Sequence, residues 1–421
     1  MLYVMETKPK TWRKYDVDQS CIPYTGNHWI STQKFRFFRK KVIQRLEKTE
    51  HRCPKCFNLS VSAYPIRERQ IQAMPYGSKQ TYFKVTIHRI YCPKCKAAFM
   101  EELPFLSHPE ARLTTTFERT IVDLRPDMTI SAISRHYHVP WHTIKTIEKR
   151  YLKHKYRKIS LKNVRVIGID EIAIGHIAGH KPAYWSIVRD LESGAVLHVD
   201  KGKDGDSLQD FLKKIRRSKA KIELVAMDMG RAFIAWVTEN LPDAKIVFDH
   251  FHVIKLMNDI LDKARRRTMA QLDDDQRSAL KNKRFVLLHN EEDLDADAAK
   301  DLAVIKDHFK ELADLHMMKE SLRSIYRVVD NPWEAEVSLE KWCKQSLSLD
   351  SAYLGKMVKC LRQHWEGVLG FWKYDNLTNA GMEGFNNKVR TMIRQAYGFR
   401  DEEYMRLKIF DLPNKRVNDG I

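Results

Sequence analysis

The chain has 421 residues, 43% hydrophobic and 10% aromatic, so it can form several cores and is not a disordered chain. Its formal net charge of +20 indicates a polyanionic partner, most simply nucleic acid. The sequence has no apolar run of about 18 residues and no charged-then-apolar leader, so we expect neither a membrane-spanning helix nor a secretory signal. We therefore expect a cytoplasmic protein with access to DNA.

Residues 1–50 form a basic, aromatic segment, most clearly over residues 34–41. Two interpretations stand side by side for this segment. It is either an arm that contacts nucleic acid or an amphipathic element that packs on the next domain.

Residues 51–105 contain two Cys-Pro-Lys-Cys pairs, with these four members: Cys53, Cys56, Cys92 and Cys95. Two such pairs supply a closed tetrahedral site, which predicts one structural zinc ion with no open position for catalysis. The residues between the pairs are typical of a β-hairpin with its turn at residues 75–78, so we expect a long zinc ribbon. The alternative is four thiols without metal.

Residues 106–158 are predicted to be a helix-turn-helix DNA-binding domain, helical over 110–158, in which residues 129–150 carry the apolar spacing of a helix-turn-helix. The turn falls at residues 138–140, where His138 stands at a position usually occupied by glycine and Pro140 can open the second helix. That helix would present four side chains to DNA: Trp141, His142, Lys145 and Lys149. An ordinary helical hairpin is the alternative.

Residues 159–256 alternate between strand and helix patterns. We predict strands and helices in this order: strand 164–169, strand 183–189, strand 195–200, helix 207–217, strand 222–227, helix 231–240 and strand 245–249. This order is that of an RNase H-like α/β core with a mixed five-stranded sheet, in which the first and fourth strands are neighbours. Asp170 and Asp228 follow those two strands, so both carboxylates can face one divalent metal site.

Residues 257–375 are predicted to be an all-helical insertion into this core, with four tryptophans interpreted as core residues: Trp333, Trp342, Trp365 and Trp372. Residues 376–421 return to the core with a basic helix that carries Glu383. Asn387 follows Glu383 by four positions and shares its helix face. The same helix carries three cations expected to contact DNA: Lys388, Arg390 and Arg394.

Taken together, these motifs resemble the DDE insertion-sequence transposases of the ISL type. The resemblance rests on the two Cys pairs, the helix-turn-helix and four further stretches: Ile167–Glu171, Ala226–Met229, Phe248–Val253 and Asn379–Lys388. It implies a multidomain α+β enzyme in which Asp170, Asp228 and Glu383 form an acidic triad that binds two Mg²⁺ or Mn²⁺ ions.

The resemblance further implies in-line attack on a phosphodiester, first by water and then by a DNA 3′-hydroxyl. It implies double-stranded DNA partners, namely the inverted-repeat ends of an element and its target, a dimer or larger synaptic assembly, and a bacterial, nucleoid-associated location. The alternative is a DNA-binding regulator derived from a transposase with an inactive core. A nuclease of the same fold is a third, weaker interpretation.

Two local questions stay open in the sequence. Glu171 could replace Asp170 at the metals, although alternation along a strand points neighbouring side chains to opposite faces. Asp249 and His252 could ligate metal, but we interpret them, with Asn387, as groups beside the triad that support it or contact DNA.

Overall fold

The computed structural model describes the backbone of residues 29–30, 36–37 and 41–48, and in full residues 50–175, 183–273, 277 and 279–413. Most of the basic segment 1–50, with its two interpretations, lies outside the described residues. The chain divides into two compact units, Met1–His154 and Lys155–Ile421.

The first unit begins with a six-stranded sheet. Its strands are β1 Trp29–Ile30, β2 Arg36–Phe37, β3 Lys41–Lys48, β4 Ser62–Tyr76, β5 Lys79–Cys92 and β6 Ala97–Met100. The predicted hairpin is confirmed: β4 and β5 pair antiparallel and turn at Gly77, whose φ of +58° suits glycine. Strand β3, which the sequence pattern did not predict, pairs parallel with β5.

Three helices follow: α1 Thr115–Leu124, α2 Ile130–Tyr137 and α3 Trp141–Lys155. Ile133, Val139 and Ile144 are buried between them. His138 ends α2 in the left-handed region, with φ 54° and ψ 37°, which explains why glycine is usual at this turn. The turn thus lies where the sequence predicts it.

The second unit contains a five-stranded sheet, built from β7 Val166–Ile174, β8 Ala183–Asp190, β9 Val196–Lys201, β10 Leu224–Met227 and β11 Lys245–Phe248. The strand order is β11-β10-β7-β8-β9, with β7, β10 and β11 parallel and β8 antiparallel to both of its neighbours. The first and fourth predicted strands are therefore neighbours, as expected.

The same unit has these helices: α4 Gln209–Ser218, α5 Arg231–Asn240, α6 His250–Gln271, α7 Arg284–Leu288, α8 Ala296–His308, α9 Lys310–Val328, α10 Pro332–Ser348, α11 Ala352–Gln363, α12 Trp365–Lys373, α13 Ala380–Gln395 and α14 Glu402–Asp411. Side chains of α4 and α5 share a core with Ile167 and Ile169 of β7. Side chains of α13 and α14 share a second core with Ile172. Alternation along β7 thus sends odd- and even-numbered residues to different helix layers.

In the described residues, His250–Gln271 and the helices from Arg284 to Lys373 follow the sheet, in agreement with the prediction of helices after it. Helix α12 packs directly on β11. Gly367 of α12 lies so close to the Phe248 ring of β11 that any larger side chain at this position would clash with it. Trp342 and Trp372 are buried, but the assignment of Trp333 to the core is wrong, since 76% of it is exposed. It follows the start of α10, where a first-turn side chain can point outward.

Within the described part of the chain, no helix has the length and apolar character needed to cross a membrane.

Candidate active site

Three aspartates form a row where the parallel strands stop pairing. Ala226 of β10 lies opposite Gly168 of β7, and Met227 lies opposite Phe248 of β11. Continuing this register brings Asp228 level with both Asp170 and Asp249. The expectation that Asp170 ends its strand needs correction, because β7 continues to Ile174, paired with β8 alone. Asp170 instead lies just beyond the parallel pairing, where β10 has ended.

The Asp170 carboxylate is held on both oxygens. Its Oδ1 accepts a hydrogen bond from the Glu171 backbone N–H at 2.8 Å, and its Oδ2 accepts one from Asn386 Nδ2 at 2.7 Å. Burial and the charge of Asp228 raise the pKa of Asp170, Glu171 N–H, His252 and Arg390 lower it, and the net result is a pKa of about 6. Two carboxylates in a half-buried site repel each other, so the site favours a cation.

Helix α13 lies unusually close to β7. A Cβ at Gly168 would come within 2.8 Å of Asn379, Leu191 and Met382 side-chain atoms, so only glycine fits there without displacement. Asn379 Nδ2 also donates to the Ile169 carbonyl, at 3.4 Å. The close neighbour of Gly168 is therefore the helix that carries Glu383.

Glu383 lies on the exposed side of α13, three positions before Asn386. Residues three apart share a helix face, so Glu383 emerges about one turn from the bond to Asp170. Among the described residues, Asp170, Asp228 and Glu383 are not one of the groups whose ligand atoms all lie within 4.8 Å of one another. The fold brings the three elements together but leaves the carboxylates apart.

Asn386, which was not among the predicted site residues, makes the contact with Asp170. The amide expected to lie beside the triad, that of Asn387, accepts instead from Arg390 Nη1 at 2.9 Å on the exposed side of the helix. Asn386 is 2% exposed and Asn387 is exposed. Both asparagines follow Glu383 at helical spacing, and their burial would have been the only signal to separate them.

Asp249 is buried and caps α6, because its Oδ1 accepts from the Phe251 backbone N–H at 3.1 Å. Its Oδ2 lies 3.6 Å from His252 Nδ1. The neighbouring Asp249 raises the pKa of His252, burial lowers it, and Asp228 and Asp170 raise it. Asp249 thus lies beside an imidazole whose protonated form is favoured by the carboxylates of Asp249, Asp228 and Asp170.

Glu171 projects to the other face of β7, opposite Ser186 of β8. Burial, Asp228 and Asp170 together raise the pKa of Glu171 to about 7, while Lys203 and His252 act in the opposite direction. Glu171 therefore experiences the negative charges of Asp170 and Asp228 from the opposite face of the strand. The hydrogen bond from Asn386 that orients Asp170 does not reach Glu171.

The residues predicted to contact DNA lie on two helices, one in each unit. Lys388, Arg390 and Arg394 are exposed on α13. On α3, Trp141 and His142 are exposed, and Lys145 Nζ lies 5.9 Å from the centre of the Trp141 ring. Lys149 is half-buried on the same helix.

The four predicted zinc ligands form one cluster, with all Sγ atoms within 4.8 Å of one another. Cys53 and Cys95 sulfurs are 3.8 Å apart, and Cys56 and Cys92 sulfurs are 3.6 Å apart. A tetrahedron with Zn–S bonds of about 2.3 Å has edges of about 3.8 Å, so the cluster fits zinc. Burial raises the pKa of Cys92, but hydrogen bonds from the Cys95 backbone and the other thiols lower it to about 6, which favours a thiolate ligand.

Comparison with protein families gives two matches. Residues 167–409 match a family described as transposase, DDE type of the ISL3 family, and residues 101–152 match the helix-turn-helix domain of transposase family ISL3. The first match covers more than half of the chain. The chain belongs to the ISL3 transposase family. It is a transposase with a helix-turn-helix DNA-binding domain, so DNA is its partner, and the resemblance seen in the sequence is confirmed.

Curated relatives of this transposase are transposases of insertion sequences. The transposase for element IS1001 of Bordetella parapertussis is 26% identical over 361 residues, covering 85% of this chain and 87% of the relative. The transposase for IS1557 of Mycobacterium tuberculosis is 25% identical over 360 residues, covering 80% and 79%. Among solved structures, a Drosophila P element transposase strand transfer complex matches with a TM-score of 0.39 and 11% identity, over 70% of this chain and 91% of that chain.

Proposed function

We propose that this transposase cleaves and joins DNA with Asp170, Asp228 and Glu383 as its catalytic carboxylates. The observation that carries the proposal is the bond from Asn386 to Asp170, because it ties the Glu383 helix to the strand beside Asp228. The strand order β11-β10-β7-β8-β9 supports an RNase H-like core interrupted by a helical insertion.

These carboxylates would hold two divalent cations, Mg²⁺ or Mn²⁺. Carboxylate oxygens suit such hard ions, and a cation would relieve the repulsion that raises the pKa of Asp170. When bound, the ions activate the attacking oxygen and stabilise the leaving one. Asn386 fixes the orientation of Asp170, and His252 adds positive charge beside Asp170 and Asp228 without itself ligating metal.

DNA would reach this site along α13. Lys388, Arg390 and Arg394 are exposed on that helix and would bind phosphates near Glu383. Trp141, His142, Lys145 and Lys149 of α3 would contact the inverted-repeat end of the element in its major groove. We propose that the ribbon of residues 51–105, with one zinc ion on its four cysteines, supports the helix-turn-helix of residues 106–158. Two ends must meet, so we propose a dimer or larger assembly.

The test is cleavage of DNA that carries an inverted-repeat end of the element, with and without Mg²⁺. Wild type should cleave only with the cation, and a scrambled end should remain uncut. Asp170→Asn, Asp228→Asn and Glu383→Gln should each abolish cleavage and keep end binding. End binding without cleavage by wild type in Mg²⁺ and Mn²⁺ would favour a DNA-binding regulator, and equal cutting of scrambled ends would favour a nuclease.

A further inference from the structure

A second cluster of potential ligands lies in the ribbon sheet, apart from the four cysteines. His51, His88 and Glu101 place one ligand atom each within 4.8 Å of the others. His51 Nδ1 lies 3.3 Å from Glu101 Oε1, and His88 Nδ1 lies 2.9 Å from Glu101 Oε2. The two imidazole ring centres are 4.5 Å apart.

The backbone fixes this arrangement. Strand β6 pairs with β5 through Arg89 opposite Met100, and the Glu101 N–H continues the ladder by donating to the His88 carbonyl at 2.9 Å. The His88 N–H donates in turn to Glu101 Oε2 at 3.1 Å. His51 arrives from the segment that leads into Cys53. The register of β5 and β6 therefore brings His88 and Glu101 together, and the segment before Cys53 places His51 beside them.

The Glu101 side chain is 1% exposed, while both imidazoles are 19% exposed. Two imidazoles whose ring nitrogens face one buried carboxylate offer a set of nitrogen and oxygen ligands that suits a shared cation. With metal–ligand bonds of about 2.0–2.1 Å, a tetrahedral site has edges of about 3.3 Å. The separations of 2.9 Å from Oε2 and 3.3 Å from Oε1 are close to that edge, and without an ion they are hydrogen-bond distances.

We propose that His51, His88 and Glu101 form a second zinc site, distinct from the four-cysteine cluster and from the carboxylates of the second unit. Two imidazoles and a carboxylate suit Zn²⁺ and leave a fourth position for water. His88 precedes Cys92 by four residues on β5, so the two sites lie about 13 Å apart along the strand. The ion joins the segment before the first Cys pair to the β5–β6 edge, and its role is independent of DNA cleavage.

The experiment is zinc analysis of the full-length protein, expressed with zinc and dialysed, combined with X-ray absorption at the zinc edge. Wild type should carry two zinc ions per chain and show sulfur neighbours at about 2.3 Å together with nitrogen or oxygen neighbours at about 2.0–2.1 Å. One zinc per chain with sulfur neighbours alone would overturn the proposal, and would leave the four-cysteine site and the transposase chemistry untouched.

The decisive variants are Glu101→Gln and His88→Ala. Glu101→Gln keeps an oxygen that can accept from the His88 N–H but removes the charge. Each variant should lose one zinc ion and the nitrogen or oxygen neighbours, and keep the sulfur-bound ion. His108→Ala, which removes an exposed histidine of the same unit, should keep both ions.

Two zinc ions in both decisive variants would overturn the assignment. If a variant loses both ions by unfolding, the wild-type spectrum decides. Nitrogen or oxygen neighbours for half of the zinc in wild type, retained in His108→Ala, support the second site, and their absence contradicts it.

Discussion

The four-cysteine cluster and the carboxylate site are built in opposite ways. Each Cys-x-x-Cys pair closes within one short turn, and Phe57 and Lys96, immediately after the pairs, both have positive φ. A single hairpin then brings the pairs together. The carboxylates come from two strands and from a helix that follows a long helical region, and the bond that joins them spans 216 positions. The cysteine cluster is a local site that depends on residue spacing within one hairpin, whereas the carboxylate site depends on the packing of the whole second unit. Substitution of single residues should therefore affect folding at the first site and activity at the second.

The largest effect is expected at the local site. Cys53→Ser combined with Cys92→Ser should release the sulfur-bound zinc and unfold the ribbon, because structural zinc contributes on the order of 10 kcal/mol to such folds. Zinc analysis and DNA end binding measure the loss. Cys360→Ser, outside the cluster, should retain zinc and binding. If the double variant stays folded and binds DNA without zinc, then the ribbon does not need its cysteine-bound zinc ion for folding.

Loss of one of the three proposed catalytic carboxylates should remove activity without unfolding the protein. Asp170→Asn, Asp228→Asn or Glu383→Gln should lower the cleavage rate by about 10³-fold or more, since metal-assisted charge stabilisation is worth several kcal/mol. Binding of the element end, measured by gel shift, should be unchanged. Glu223→Gln, an exposed carboxylate just before β10 and away from Asp228, should cleave normally. Full activity in any of the three variants would remove that residue from the triad.

Asn386→Ala and Asn387→Ala compare the buried asparagine that bonds to Asp170 with the exposed asparagine next to it. Loss of the Asn386 amide should slow cleavage by about 10- to 100-fold, as expected for a group that orients a metal ligand. Asn387→Ala should have the smaller effect on the cleavage rate at saturating DNA. The reverse order would mean that the Asp170 bond is not what positions the Glu383 helix.

Gly168→Ala tests how closely α13 must approach β7. Its Cβ would lie 2.8 Å from Asn379, Leu191 and Met382 atoms, so we expect a loss of about 1–3 kcal/mol in unfolding free energy. Cleavage should fall as well, because the Glu383 helix shifts. Gly355→Ala, in a helix with open space around it, should be neutral or stabilising by up to about 1 kcal/mol. Equal thermal stabilities for the two variants would contradict the close contact.

The smallest effect concerns pH. Burial and Asp228 raise the pKa of Asp170 to about 6, above its value in the unfolded chain. In metal-free protein, ionisation of Asp170 therefore lowers the unfolding free energy as the pH rises from the unfolded-state pKa of this carboxyl to about 6. At lower pH the carboxyl is protonated in both states and this penalty is absent. Added Mg²⁺ should stabilise the protein by about 1.4 kcal/mol at tenfold its dissociation constant near pH 8, and less near pH 5. Thermal melts of wild type and Asp170→Asn measure this, and an equal Mg²⁺ effect in both would argue against ligation by Asp170.

Some features followed from local sequence because local chemistry determines them. The Cys pairs predicted the cluster, the apolar spacing around His138 predicted the helix-turn-helix, and the strand patterns at 164–169 and 222–227 predicted β7 and β10. These patterns depend on turns and periods of a few residues, which a sequence displays directly. The net charge likewise indicated a polyanionic partner, because it depends on composition and not on how the chain folds.

Tertiary structure alone decided the rest. Helical spacing places both Asn386 and Asn387 within reach of the Glu383 face, and only the packing of α13 on β7 buries one of them against Asp170. Trp333 looks like a core residue in the sequence and lies exposed, because no neighbouring element covers it in the described part of the chain. His51, His88 and Glu101 have no motif spacing; the register of β5 and β6 brings His88 and Glu101 together, and His51 joins them from the segment before Cys53. Side chains far apart in sequence meet by packing, whose outcome depends on all elements at once.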